Sequence, residues 1–289
     1  DHRSGAEAGG PPMPKSLGRH ADRLARLKMC QDKLEARAAA AATRQREKIE
    51  ARETEERTTG TRKRGRKPKA PDPGVDPEAA ANPTDPDSAI MKTRRGWVQG
   101  YNAQAVVTPG QIVLAADVTT EANDVRQLTG MLDQAQANVE AVVGEDAVLG
   151  AAVADAGYWS EANAASETEE CALFIATRKD HKQRAALRDA PAPRGRMPKR
   201  LTARERMDRK LRTRRGRALY RQRGAAVEPV FGQMKDRQGA DGFSMRGLER
   251  CRGEWQLHAA VHNLRKLHRD SVRRAENSGT ARQKGRTAA

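Results

Sequence analysis

AVLGAAVADAG, residues 147–157, is the stretch that decides the fold. It is a short apolar run of small and β-branched residues bounded by turn formers, the pattern of a strand covered on both faces. Such strands belong to sheets with helices packed on them, so the run points to an α/β domain. It ends on Asp155, and Gly157 permits a tight turn directly after it. The C-terminal end of a buried strand is where open α/β sheets hold ligands. A carboxylate there is costly unless it faces solvent, is paired or binds a metal. Taken alone, Asp155 is better explained as a turn or N-cap aspartate.

Working outward, GWVQGYNAQAVVT (Gly96–Thr108) and QIVLAADVTT (Gln111–Thr120) read as two strands of a hairpin joined at Pro109-Gly110. Asp124 is expected to cap a helix over Val125–Val139 that carries Leu128, Met131, Leu132 and Ala135 on one face. Downstream, Glu161–Glu169 reads as a short helix and ALFIATR (Ala172–Arg178) as a second buried strand. Residues 179–203 read as a basic loop with Pro191, Pro193 and Pro198. Helices are expected over Ala203–Arg215, Arg217–Lys235 and roughly Arg246–Arg269.

Ahead of the sheet, a Gly/Pro-rich start leads into residues 15–59, which hold no Pro or Gly between Arg19 and Gly60. This segment reads as a long charged helix or helical hairpin, with Ser16 a candidate cap. Its thin seam, Leu17, Leu24, Leu27 and Leu34, favours a solvated helix over a coiled coil. TRKRGRKPK (Thr61–Lys69) contains an Arg-Gly-Arg core similar to a minor-groove hook, but Lys67 stands where the usual hook has proline, and a solvated basic linker is the better reading. The expected organisation is a helical region over 1–59, a basic and Pro-rich linker over 60–89, an α/β domain over 90–270 and a disordered basic tail over 271–289.

Charge is unevenly distributed. The 289 residues carry 55 Lys and Arg against 38 Asp and Glu, a net +17. Residues 1–177 hold 23 basic and 27 acidic groups, whereas residues 178–289 hold 32 and 11. A domain-sized block this positive points to a polyanion, most often nucleic acid. No apolar run approaches the ~20 residues of a membrane span, and Asp1–Met13 lacks the features of a secretory signal. The three cysteines, Cys30, Cys171 and Cys251, form neither a disulfide framework nor a zinc spacing. A cytoplasmic location follows as the expectation.

The second candidate carboxylate is Glu228, within RRGRALYRQRGAAVEPVFGQMKDRQG (Arg214–Gly239). Glu228 and Lys235 are seven apart, so a straight helix puts them on one face. Val227, Val230 and Phe231 are expected to pack against the sheet. A lone acid among so many cations is explained by a surface salt bridge. Together with Asp155 it says more: carboxylates from a strand end and a helix can hold Mg²⁺ ions about 4 Å apart for phosphodiester chemistry. His258 and His262 have the spacing of a zinc pair, but nothing completes the ligand set.

DPDSAIMKTRRGWVQGYNAQAVV (Asp85–Val107), VADAGYWSEAN (Val153–Asn163) and YRQRGAAVEPVFGQMKDRQGADGFSMRGLERCRGEWQLHAAVHNLRKL (Tyr220–Leu267) together resemble DDE transposases of bacterial insertion sequences. The likeness is to the branch with a Tyr-Arg-Glu-Lys signature, and it covers about residues 60–270. It implies an RNase H-like mixed sheet with flanking helices, and Mg²⁺- or Mn²⁺-dependent cleavage at terminal inverted repeats followed by strand transfer into target DNA. It also implies action as a homodimer on double-stranded DNA at the nucleoid. Carried over by position, Asp155 matches the second catalytic Asp and Glu228 the catalytic Glu, both metal ligands. Tyr220, Arg223 and Lys235 match the signature positions that contact DNA near the cleaved end, and Arg221 and Arg237 are further DNA contacts beside them.

Two departures qualify the resemblance. Four residues separate Arg223 from Glu228, one more than the usual signature. The family's first Asp lies on a first sheet strand, and residues 1–89 contain no such segment. Asp85, Asp87, Asp117 and Asp124 read as structural. The expectation is therefore the C-terminal portion of a transposase whose catalysis suffers from a missing metal ligand. The alternatives are a non-catalytic DNA-binding remnant and an RNase H-like nuclease.

Overall fold

The computed structural model describes residues 18–93 and 96–287. Ser16, Leu17 and the Gly/Pro-rich start lie outside the described residues. The chain divides into two compact units, residues 1–101 with 246–248, and residues 102–245 with 249–289.

In the first unit, α1 (His20–Thr59) is a single helix of 40 residues and not a hairpin. Its Ala, Glu, Arg, Lys and Gln content favours helix throughout, and Gly60, with φ 63°, ends it in the left-handed conformation. Cys30 and Ala42 are its buried residues. The basic linker folds back along this helix: Arg52 donates to the carbonyls of Lys63 (2.7 Å) and Arg66 (3.2 Å), and Gln45 to that of Lys69 (2.8 Å). Asp85 and Asp87 are structural, as expected. Buried Asp85 accepts from the Tyr101 hydroxyl (2.8 Å) and the Gly247 N–H (3.1 Å). Asp87 pairs with Lys33 at 2.7 Å, and that bond holds its carboxyl below the ordinary range.

The strand expected over Gly96–Thr108 is two strands. β1 (Ala89–Thr93) pairs antiparallel with β2 (Gly96–Gly100), while β3 (Asn102–Val107) pairs antiparallel with β4 (Val113–Thr119). The break falls at Tyr101, whose side chain is drawn to Asp85.

The second unit is built on that β3–β4 hairpin. Its turn closes with the Gln111 N–H on the Thr108 carbonyl (2.8 Å), and Gln111 adopts φ 63°. α2 (Leu128–Val143) lays Met131 and Ala135 against Ala115 of β4. β5 (Gly150–Ala154) pairs in parallel with β6 (Cys171–Ile175), with α3 (Glu161–Ala165) in the crossover. Leu173, Phe174 and Ile175 of β6 form the centre of the core.

Residues expected as loop contain α4 (Asp180–Asp189). Asp180 in its first turn suits the helix dipole, and Gln183 and Leu187 face inward one turn apart. α5 (Ala203–Leu211) starts with a capping box of Thr202 and Glu205. α6 (Arg214–Gln238) follows at once. The closeness requires Gly216, where a Cβ would meet the Leu211 carbonyl oxygen at 2.7 Å. Pro229 lies inside α6 and cannot donate to the carbonyl four residues back. That carbonyl, of Ala225, accepts from Gln111 Nε2 at 3.1 Å instead. α7 (Leu248–Thr287) closes the unit and extends through residues expected as a tail.

α7 satisfies the outer edge of β4. Asn263 bonds both the N–H and the carbonyl of Val113 at 2.8 Å, and Gln256 donates to the Ala116 carbonyl. Trp255 crosses to the Gln104 carbonyl of β3 at 2.8 Å and packs its ring on Phe231. The α/β class thus holds. Among the described residues the strands make three two-stranded sheets, and β3 and β5 are separated by a groove of about 400 Å³.

Candidate active site

Asp155 stands directly after β5, as its sequence position implied. One of its oxygens accepts the Gly157 N–H at 2.8 Å and caps the short turn Ala156–Tyr158, so the plain turn role is real. Its other oxygen faces Arg223 Nη1 of α6 at 3.8 Å. The same guanidinium reaches Asp180 of α4 at 2.8 Å, and the Tyr220 hydroxyl donates to that Asp180 oxygen at 2.9 Å. Arg184 holds the second Asp180 oxygen at 2.8 Å and extends to Glu228 at 3.4 Å. Asp155, Arg223, Asp180, Arg184 and Glu228 therefore form one relay of alternating charge linking β5, α4 and α6.

Burial alone would raise the Asp180 carboxyl, but the hydrogen bonds from Tyr220 and Arg223 and the charges of Arg223 and Arg184 outweigh it and hold it low. Burial, followed by the bond to Asp180, pushes the Tyr220 phenol up to about 12. Asp180 is the hub of the site, and sequence reasoning missed it because residues 179–203 looked like loop. Its i,i+4 spacing to Arg184, with Gln183 and Leu187 one turn apart, is the signal that could have found it.

Asp124 also differs from its expected role. Asn123 caps the following turn, and Asp124 Oδ1 accepts from Asn102 Nδ2 (2.7 Å) and Gln104 Nε2 (2.9 Å). Its other oxygen lies against Gly157. A Cβ on residue 157 would sit 2.9 Å from Asp124 Oδ2 and 3.0 Å from Asp155 Oδ1, so glycine leaves both carboxylates room beside this turn. The Tyr158 hydroxyl donates to Gln104 Oε1, and its phenol is raised by burial and then by the charges of Asp124 and Asp155.

α6 presents the proposed DNA contacts on different faces. Arg221, Glu228 and Lys235, seven apart, are all exposed, and so is Arg237. Tyr220 and Arg223 instead turn inward to Asp180, at 4% and 14% exposure. Arg237 lines a small basic cavity with His262, Arg265, Lys266 and Arg269 of α7. His258 meets Gln238 and His262 the Gln111 carbonyl, so neither is arranged as a zinc ligand.

Aspartate and glutamate are the hard oxygen donors a divalent cation takes. Among the described residues, however, no group of three or more His, Cys, Asp or Glu side chains converges on one point. Asp155 is committed to Gly157 and Arg223, and Glu228, 68% exposed, to Arg184. The residues present do not complete a site for Mg²⁺ or Mn²⁺.

No curated protein and no solved structure matches the chain. Residues 177–268 match the family model described as a transposase DDE domain. The match takes in Asp180, Arg184, Tyr220, Arg223, Glu228 and Lys235 and leaves Asp155 just outside. The segment from α4 into α7, which holds every member of the Asp180 relay except Asp155, is similar to a transposase DDE domain.

Proposed function

We propose that this chain is the DNA transposase of an insertion sequence. It acts at the nucleoid on double-stranded DNA, cleaving element ends and transferring strands. Arg221, Lys235 and Arg237 meet the phosphate backbone on the exposed side of α6, while Asp155 and Glu228 face the scissile region. The observation that carries this reading is the match of residues 177–268 to a transposase DDE domain whose Glu228 is tied through one charge relay to Asp155. The net +21 of residues 178–289 supports a polyanionic substrate. An RNase H-like sheet is supported by the arrangement of an antiparallel pair and a parallel pair on the two sides of one groove. In this arrangement Arg223 and Tyr220 are positioning residues: they hold Asp180, and Arg223 also faces Asp155.

One observation favours a second reading, a DNA-binding protein without catalysis: the carboxylates do not complete a metal site among the described residues. Both readings require DNA binding whose affinity falls by about a thousandfold or more between about 50 and 200 mM salt, as for six to ten phosphate contacts. Nicking of supercoiled plasmid with added Mg²⁺ or Mn²⁺ separates them. The transposase reading expects nicking that Asp155→Asn and Glu228→Gln abolish while binding persists. Binding without nicking selects the second reading, and absence of DNA binding removes both.

A further inference from the structure

The basic linker of the first unit is fastened to the last turns of α1 by one arginine. Arg52 donates to the Lys63 carbonyl at 2.7 Å and to the Arg66 carbonyl at 3.2 Å. Glu56 accepts from Arg52 Nε and from the Lys63 N–H, both at 2.9 Å. This clamp grips the backbone on both sides of Gly65. Gly65 itself has φ 104°, which side-chain-bearing residues rarely adopt, and nothing lies within 4 Å of where a Cβ would stand. Because the clamp uses backbone groups, it leaves the side chains free to face outward. Lys63 pairs with Glu55. Arg64, Arg66, Lys67 and Lys69 are exposed, and among the described residues nothing pairs with their side chains. The acids that follow are engaged in their own turns, Asp72 with the Gly74 N–H at 2.8 Å and Asp76 with the Glu78 N–H at 3.0 Å. Neutralising the acidic end of α1 therefore explains Lys63 but not the other four. Four cations within six residues repel one another and call for an anion from outside.

We propose that residues 61–69 form a DNA contact of their own, in which Arg64 and Arg66 enter the minor groove of an A·T-rich stretch while Lys67 and Lys69 meet the flanking phosphates. The two arginines stand two residues apart, a reach of up to about 7 Å, which spans two base-pair steps of about 3.4 Å. A run of A·T pairs has a narrow minor groove whose enhanced negative potential draws in arginine. The bare Gly65 between them lets the backbone come close to the groove. Lys67 stands where a minor-groove hook has proline, a residue that fixes its own backbone angle. Here the bonds from Arg52 hold the backbone instead, so the linker is braced and not merely solvated. The loop has no aromatic side chain on which unpaired bases could stack, which sets single-stranded nucleic acid aside. Its one apolar residue, Pro68, gives a membrane surface nothing to bury. The proposal shares DNA as partner with the transposase reading and adds a base preference carried by the other unit.

The test uses the whole chain and two fluorescein-labelled duplexes that differ only in a central run of A·T or of G·C pairs. The expected result is anisotropy showing about tenfold tighter binding to the A·T duplex, the size of one or two unfavourable base pairs. Netropsin, a small molecule that fills the A·T minor groove, removes the difference. The double variant Arg64→Gln and Arg66→Gln binds both duplexes equally. Arg52→Met, which removes the clamp and no groove contact, reduces the preference severalfold with an unchanged circular dichroism spectrum. The proposal is overturned by equal wild-type affinity for the two duplexes, or by a preference that survives in the double variant. It is also overturned by tighter wild-type binding to single-stranded RNA or to phosphatidylserine vesicles that the double variant loses. An unchanged preference in Arg52→Met overturns the positioning role of the clamp. The substituted arginines at 64 and 66 are exposed and unpaired, so loss of fold does not enter the comparison. DNA binding without an A·T preference removes this proposal and leaves the transposase reading standing, whereas A·T-selective binding without nicking does the reverse.

Discussion

Replacing Arg223 by methionine tests the charge relay directly. The guanidinium is 14% exposed, while its partners Asp155 and Asp180 are 43% and 38% exposed. Breaking a fully buried pair from one side costs about 3–5 kcal/mol, and an exposed pair is worth about 0–1 kcal/mol. Both carboxylates are more than a third open to solvent, so screening pulls the value well below the buried figure, to about 1.5–2 kcal/mol. Methionine keeps most of the aliphatic stem, so little packing is lost. For a unit of this size that loss lowers Tm by roughly 3–8 °C. The pH dependence has a definite sign. The Asp180 carboxyl is depressed in the folded protein, so its stabilisation is fully present above the unfolded value of about 3.9 and disappears as pH falls through the folded value. Urea melts of the two proteins should differ fully at neutral pH and converge below about pH 4. Equal stability at neutral pH, or a gap that persists in acid, would refute the relay as a source of stability.

Other outcomes follow from the same geometry. Gly157→Ala sets a methyl 2.9 Å from Asp124 Oδ2 and 3.0 Å from Asp155 Oδ1 at an exposed position, so both carboxylates shift aside at a cost of about 0.5 kcal/mol, read by urea unfolding; a loss of about 2 kcal/mol or more means that they cannot move. Gln111→Ala strips the Ala225 carbonyl of the partner that replaces the missing Pro229 N–H, a loss of about 1 kcal/mol; Gln111→Ala combined with Pro229→Ala should recover part of it, and additive losses would sever the link. Phe174→Ala, at a site 2% exposed, should cost about 3–5 kcal/mol by the same melts. Tyr220 is raised in the folded state, so stability should fall as pH rises from about 10 towards 12, and Tyr220→Phe should remove that part of the alkaline loss.

The sequence made some elements legible and hid others for physical reasons. The run ending at Asp155 identified β5 because a strand covered on both faces has a continuous apolar signature. Tyr220 and Lys235 were visible by spacing, but spacing cannot say which way a side chain turns, and Tyr220 turns to an aspartate 40 residues earlier. Asp180 was hidden because α4 is short, polar and followed by prolines, so local composition outweighed its two inward positions. The split of Gly96–Thr108 into β2 and β3 was illegible because alternation continues through Tyr101. Only the distant partners of each half, β1 and β4, distinguish them.

The satisfaction of β4 by α7 has a consequence for synthesis. Asn263 reaches Val113 across 150 residues, and Trp255 reaches Gln104 across 151. A ribosome adding about 5–20 residues per second takes on the order of ten seconds to cover that interval. For that time the nascent hairpin carries an uncovered strand edge, and the chain emerging behind it is rich in arginine. Completion of this unit is thus postponed until α7 is made, and the interval before it is when chaperone capture and misassembly compete with folding.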